Sequence, residues 1–306
     1  YEAGYIEGKS AGSFSVNADK AVFDGVLRGG TVIGQRQRDV ASRPLGGRLA
    51  VDGLSAAVSF GNGAAPTLGA GFGAADPLGN TALRLASDVV NVNGFNRLAL
   101  STSGNFTLPG EVRLNAGANG EFDITAGRID VQGGIATAGG DITLRTLAFN
   151  AITPGAAALT LGAGARLTTA GALTDDRVGA GGVVARDGGT ISLVSAGDLS
   201  LAAGSVLDVS GGAWLRTDGN RLGDAGTLTL ASGTLKQGAK FDATLTLGGE
   251  LRGHGLADGS AIGKGGTLDI TASNLSIGGA ALGQAGELHL DETFFQTGGF
   301  ASHALS

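Results

Sequence analysis

Between Gly188 and Gly212 the chain reads GGTISLVSAGDLSLAAGSVLDVSGG. Three apolar pairs stand in it, Ile191/Leu193, Leu199/Leu201 and Leu207/Val209, each split by one residue and recurring every 8 residues. Alternation with period 2 is the pattern of a strand with one buried face. The Ser-Ala-Gly, Ala-Gly-Ser and Ser-Gly-Gly gaps are turn material, because glycine reaches backbone angles that other residues resist. A helix is disfavoured: no apolar stripe at i, i+3, i+4, i+7 crosses the segment, and each interior glycine would cost about 1 kcal/mol. The local prediction is strand, tight bend, strand, tight bend, strand. Hairpins fit it, and so do the three sides of one coil of a right-handed parallel solenoid.

The same local pattern returns along the chain as a small pair, one intervening residue, then apolar-x-apolar. It reads AGSFSV from Ala11, GGRLAV from Gly46, GGDITL from Gly139, GGTISL from Gly188, AGTLTL from Ala225, GGTLDI from Gly265 and AGELHL from Ala285. Successive starts lie 35, 93, 49, 37, 40 and 20 residues apart. The interval of 20 reads as one coil and those of 35 to 40 as two; the interval of 93 hides degenerate coils. A loose repeat of short strands marks a repeat architecture, since one coil cannot bury its apolar pairs and a stack can. The expected fold is all-β: a right-handed parallel β-helix, three-sided, with about 20 residues per coil, extending over 1–306 as one segment of a longer chain. Some 12 to 14 coils at about 4.8 Å each would make a rod roughly 60 to 70 Å long. Stacked aliphatics would fill a narrow interior that excludes large aromatics. Insertions carrying charge or proline are expected to project as loops near 57–80, 172–187 and 213–224.

Composition narrows the function classes. There are 58 glycines, 12 Phe, 1 Trp, no Cys and no Met in 306 residues. Five prolines and no strict glycine period exclude collagen. Without cysteine there is neither a disulfide framework nor a thiolate metal site. The net charge of −6 argues against nucleic acid as a main partner. Two long uncharged runs, 53–75 and 146–165, are full of Gly, Ala, Thr and Asn, and each holds a proline, Pro66 or Pro154. They read as small-residue loops with short strands and not as spanning helices. The opening YEAGYIEGKS lacks the apolar stretch of a signal peptide, which fits a piece of a longer polypeptide.

The segments GGTISLVSAGDLSLAAGSVLDVSGG, AGTLTLASGTLKQGAKFDATLTLGG and GGTLDITASNLSIGGA resemble the rod of filamentous-haemagglutinin-like exoproteins. The opening AGSFSVNADKAVFDGVLRGGTVIGQRQR is similar to segments inside large members of that group. The family's amino-terminal secretion domain is not visible, and NVNG at Asn91–Gly94 only echoes its Asn-Pro-Asn turns. The resemblance implies a right-handed parallel β-helix and a secreted or cell-surface location in a Gram-negative bacterium. It further implies export through an outer-membrane secretion partner and a role in adhesion, biofilm or cell contact. No functional residue carries over.

Parallel β-helices also host polysaccharide lyases and hydrolases, which need carboxylates clustered on one outer face. Asp175-Asp176 is an acidic doublet beside Arg177 in an expected loop, and reads as solvated. Asp291-Glu292 beside Phe294-Phe295 reads as a rod terminus. His254, His289 and His303 are widely separated and lack metal-ligand spacing. Regular outward Thr-x-Thr rows do not persist from coil to coil. No catalytic, cofactor-binding or metal residue is assigned, and the chain reads as a non-enzyme. Arg28, Arg36, Arg38, Arg43 and Arg48 form a basic stretch that would meet sulfated glycans or lipopolysaccharide, or else edge a loop. Phe60, Phe72 and Trp214, with Arg216 and Arg221, lie in the insertions and are the candidate contact anchors. The expected role is an adhesive or spacer rod segment that meets a host or neighbouring cell through glycans or proteins. A self-associating filament subunit and a polysaccharide-processing enzyme are the rivals.

Overall fold

The computed structural model describes residues 4–62, 68–69, 71–73, 76–78, 82–147, 157–179, 181–233, 242–259 and 262–306. Almost all of its regular structure is β. Among the described residues, helix is limited to Asp88–Asn91 and the 3-10 turn Glu292–Gln296.

Three parallel sheets hold most of the strands. The first has nine, in spatial order Ser13–Asn17, Gly47–Leu54, Phe95–Thr102, Glu121–Ala126, Asp141–Thr146, Thr190–Val194, Thr227–Ala231, Gly266–Thr271 and Phe300–Leu305. Spatial order equals chain order, so every strand pairs with the next copy of the pattern. The second sheet runs Leu83–Ala86, Val58–Gly61, Asn105–Leu108, Arg128–Val131, Leu159–Leu161, Leu199–Leu201, Leu245–Leu247. The third runs Arg113–Ala118, Gly134–Ala138, Arg166–Thr168, Val206–Asp208, Glu250–Arg252. From Glu121 to Arg252 the chain visits first, second and third sheet in constant rotation.

Six of the seven small-pair motifs start strands of the first sheet. The seventh, AGELHL, does not: Glu287–Leu290 pairs with Asn274–Ile277, with Asn274 opposite Glu287. Thirteen residues separate those partners, too few to visit three sheets and return, so the chain doubles on itself locally. Inside the 93-residue interval two further strands of the first sheet lie, Phe95–Thr102 and Glu121–Ala126.

The expected 20-residue period holds for one step, Glu121 opposite Asp141. Elsewhere Thr190 pairs directly with Thr227, and Thr227 with Thr267, 37 and 40 residues on. Intervals of that length are single circuits and not two. The additional residues leave the stack between strands instead of adding a layer. Nine strands at about 4.8 Å make the first sheet about 40 Å deep, shorter than the expected rod.

Pairing in register stacks like on like. Leu98, Phe122, Ile142, Ile191, Leu228 and Leu268 form one inward column of the first sheet, and Leu100, Ile124, Leu144, Leu193, Leu230 and Ile270 the next. Phe106, Ile129, Leu159, Leu199 and Leu245 do the same in the second sheet. All are buried, as are the six residues of the opening motif, including Leu207 and Val209. Large aromatics are not excluded, contrary to expectation. Phe106 and Phe122 are fully buried, and Phe60 packs edge-on against Phe106 at 6.3 Å. A ring occupies two neighbouring layers' worth of space when the residues above and below it are aliphatic.

Glycines mark one corner of the stack. The carbonyls of Gly120, Gly140, Gly189 and Gly226 accept from the amides of Asp141, Thr190, Thr227 and Thr267 in the layer above. A Cβ on Gly140, Gly189 or Gly226 would run into the backbone oxygen of the glycine before it in this series. Only glycine permits layers to approach this closely.

The insertions are partly as expected. Residues 63–67, 70, 74–75, 79–80 and 180, with the other half of the uncharged run at 148–156, lie outside the described residues. Ala57–Asn80 is not wholly a loop: Val58–Gly61 is a strand of the second sheet, because Val58 and Phe60 alternate inward. The insertions at 172–187 and 213–224 leave the three sheets and pair with each other. Among the described residues, no helix is long and apolar enough to cross a membrane.

Candidate functional site

The two lateral insertions build a small sheet. Leu173–Asp175 runs parallel to Ala213–Leu215, which pairs antiparallel with Arg221–Leu222. The hairpin joining the last two turns at Asp218-Gly219, where Gly219 adopts a positive φ of 125°. Thr174 stands opposite Trp214, and Trp214 opposite Arg221. Trp214 is half-buried, and the Arg216 guanidinium lies 4.5 Å from its ring centroid, a cation–π contact.

A segment from the chain's beginning crosses to this sheet. Asp39 bridges Val184 in parallel, with Val184 N donating to Arg38 O at 2.9 Å. Arg38 grips Asp176 in a two-pronged ion pair, Nη1 to Oδ2 at 2.9 Å and Nη2 to Oδ1 at 2.7 Å, while its Nε donates to Gly182 O at 2.8 Å. Trp214 Nε1 donates to the same Asp176 Oδ2 at 2.7 Å. Asp176 therefore joins three distant stretches of sequence. Its carboxyl is held below the usual range, first by Arg38 and then by Trp214. Asp175 is held at about 2 by Arg177, which donates to both of its oxygens.

Gln37 fixes the crossing segment. Its buried amide is fully engaged: Oε1 accepts from Gly8 N and Gly34 N at 2.7 and 2.9 Å, and Nε2 donates to Gly8 O and Ser42 O. Asp39 continues the turn, its carbonyl accepting from Ser42 N and Arg43 N. Between this turn and residues 181–183 opens a cleft of about 550 Å³, lined by Ile33, Gln35, Arg38, Arg43, Gly182 and Val183 among others. Among the described residues, Arg43 has no side-chain partner, and partial burial pushes its guanidinium below the ordinary arginine pKa.

The basic stretch is thus dispersed. Arg38 and Arg43 line the cleft, Arg36 stacks 4.4 Å from the Tyr5 ring, Arg48 lies in the first sheet, and Arg28 is exposed. Of the proposed aromatic anchors, Phe60 is buried and unavailable, Phe72 is exposed, and Trp214 sits in the cluster. The histidines do not converge as a set. His289 Nδ1 lies 3.0 Å from Ser276 Oγ, while His254 and His303 border a hollow of about 310 Å³ beside Phe300. Asp291 caps the 3-10 turn, accepting from Thr293 N at 2.7 Å, and Phe294 and Phe295 of that turn pack against the core.

Sequence reasoning found Asp176, Trp214 and Arg38 as separate features and missed Gln37 altogether. In GQRQRD nothing distinguishes a buried glutamine from an exposed one. No protein-family model, curated protein or solved structure matches this chain.

Proposed function

We propose that the chain is a right-handed, three-sided parallel β-helix serving as a rigid scaffold of a secreted or cell-surface adhesive exoprotein, akin to the filamentous-haemagglutinin group, in a Gram-negative bacterium. Its lateral sheet is the contact surface. The constant rotation through three sheets with direct register supports the solenoid, and right-handed crossovers are the rule for parallel strands. Continuous ladders resist bending and hold the projecting cluster at a fixed distance from any anchor.

The observation that carries this reading is the cluster itself. The regular outer faces present short side chains such as Thr143, Ser192 and Thr229, whereas the insertions concentrate Trp214, Arg216, Arg38 and Asp176 at one place. An aromatic beside arginines on a rigid support is the usual composition of an interface centre. A catalytic reading is disfavoured because both carboxylates of the doublet are tied to arginines and held ionised, while a general acid needs a raised pKa.

Replacing 176–183 and 216–220 by Gly-Ser linkers, singly and together, tests the role. Attachment to cells should fall with the melting temperature nearly unchanged. Attachment that survives the double replacement would move the contact surface elsewhere. Cleavage of polygalacturonate or glycosaminoglycans, lost on changing Asp175 and Asp176, would overturn the non-enzymatic reading.

A further inference from the structure

We propose that the cleft between the Ile33–Arg43 turn and residues 181–183 binds the carboxylate of an acidic sugar, a uronic-acid residue of a glycan, with Arg43 as the carboxylate ligand. The proposal rests on reading the lateral face as a contact surface and names the chemistry it takes.

Arg43 is the centre of the argument. It is partly buried and lines the cleft, and among the described residues nothing pairs with its guanidinium. Arg38, on the same wall, is already neutralised by Asp176. One positive charge is therefore left partly desolvated without a counter-ion, an arrangement that is unfavourable until an anion arrives. The fork of a guanidinium matches the two oxygens of a carboxylate.

The remaining lining favours a sugar over a bare anion. Gln35 and the backbone at Gly34, Gly181 and Gly182 supply donors and acceptors suited to hydroxyls, while Ile33 and Val183 supply apolar surface for a ring face. A volume of about 550 Å³ lies within the range of small-ligand sites and is ample for a sugar ring. The site is also pre-formed. Gln37, with every amide hydrogen bond made, and the bidentate Arg38–Asp176 pair hold opposite walls in place, so little ordering cost falls on binding.

The test uses the whole 306-residue chain and trigalacturonate as probe, with a neutral trigalactoside and sodium sulfate as comparators. Calorimetry or saturation-transfer NMR should show saturable binding of the uronate and none of the neutral sugar. Arg43→Gln should weaken it ten-fold or more at an unchanged melting temperature. Arg43→Lys keeps the charge and stem, so it guards against a folding defect, and should restore only part of the affinity. Arg48→Gln, outside the cleft, should bind as wild type. No saturable uronate binding at millimolar concentration, equal binding by wild type and Arg43→Gln, or equal competition by sulfate would each overturn the proposal. Cell attachment measured on the same samples separates the two readings: attachment without uronate binding rejects the cleft alone, and uronate binding without attachment rejects the adhesive role alone.

Discussion

Arg38 and Asp176, 138 residues apart in sequence, face each other through hydrogen bonds of 2.9 and 2.7 Å, with side chains 24% and 11% exposed. This pair fastens the beginning of the chain to the lateral sheet and shares its carboxylate with Trp214. The tryptophan is therefore a built-in reporter of the fastening.

Asp176→Asn should release the segment around Arg38 while leaving the stacked sheets intact. Hydrogen exchange should accelerate at Val40 and Val184, whose amides pair across the junction, and stay slow at Leu193 and Leu230. Uniform acceleration across the sheets would show that the pair supports the whole fold.

The same carboxylate sets a pH dependence. Its folded pKa lies below the ordinary aspartate value of about 3.9. Stability from the pair is thus fully present above that value and is lost as pH falls through the lowered folded pKa. Trp214 emission should hold constant from neutral pH down to about 4 and change only below it. A transition near pH 6 would contradict the assignment.

Leu193 stands between Leu144 and Leu230 in an inward column and is wholly buried. Leu193→Ala should destabilise the chain by about 2–5 kcal/mol. Leu193→Asp should cost more, because an unpaired charge enters an apolar stack. Denaturant melts compare the two; equal, small losses would mean that the column repacks freely.

Gly226→Ala tests the glycine corner. The new methyl would meet the Gly189 carbonyl, so layers must separate, at a cost of about 1–3 kcal/mol. Gly30→Ala, where the methyl meets nothing, should be close to neutral. Matching melting temperatures for both variants would refute the close-approach argument.

A polar corner offers a further check. Buried Thr146 donates from Oγ1 to Ala157 O at 2.6 Å and accepts from Ala196 N at 2.9 Å. Thr146→Val keeps the shape and strands the Ala196 amide, so it should cost about 1–3 kcal/mol. Thr146→Ser should recover most of that loss in thermal melts.

The amino-acid sequence by itself determined the strands and their inward faces. Ile191, Leu193, Leu199, Leu201, Leu207 and Val209 point inward because side chains alternate across any strand, whatever it pairs with. Six of the seven small-pair motifs also marked a single sheet, since the glycine is demanded by one recurrent close approach between layers. Circuit length was not legible. Thr190–Thr227 and Glu121–Asp141 are each one circuit, because a stack constrains only the paired strands and tolerates any excursion between them. AGELHL shows the same limit, carrying the motif yet pairing only 13 residues back. The site was decided wholly by tertiary structure. Arg38, Asp176, Trp214 and Gln37 lie in polar, aperiodic stretches, and their hydrogen bonds connect segments whose adjacency depends on how many layers lie between them. Charge and hydrogen-bonding partners chosen across such distances leave no periodic trace, whereas burial within a strand does.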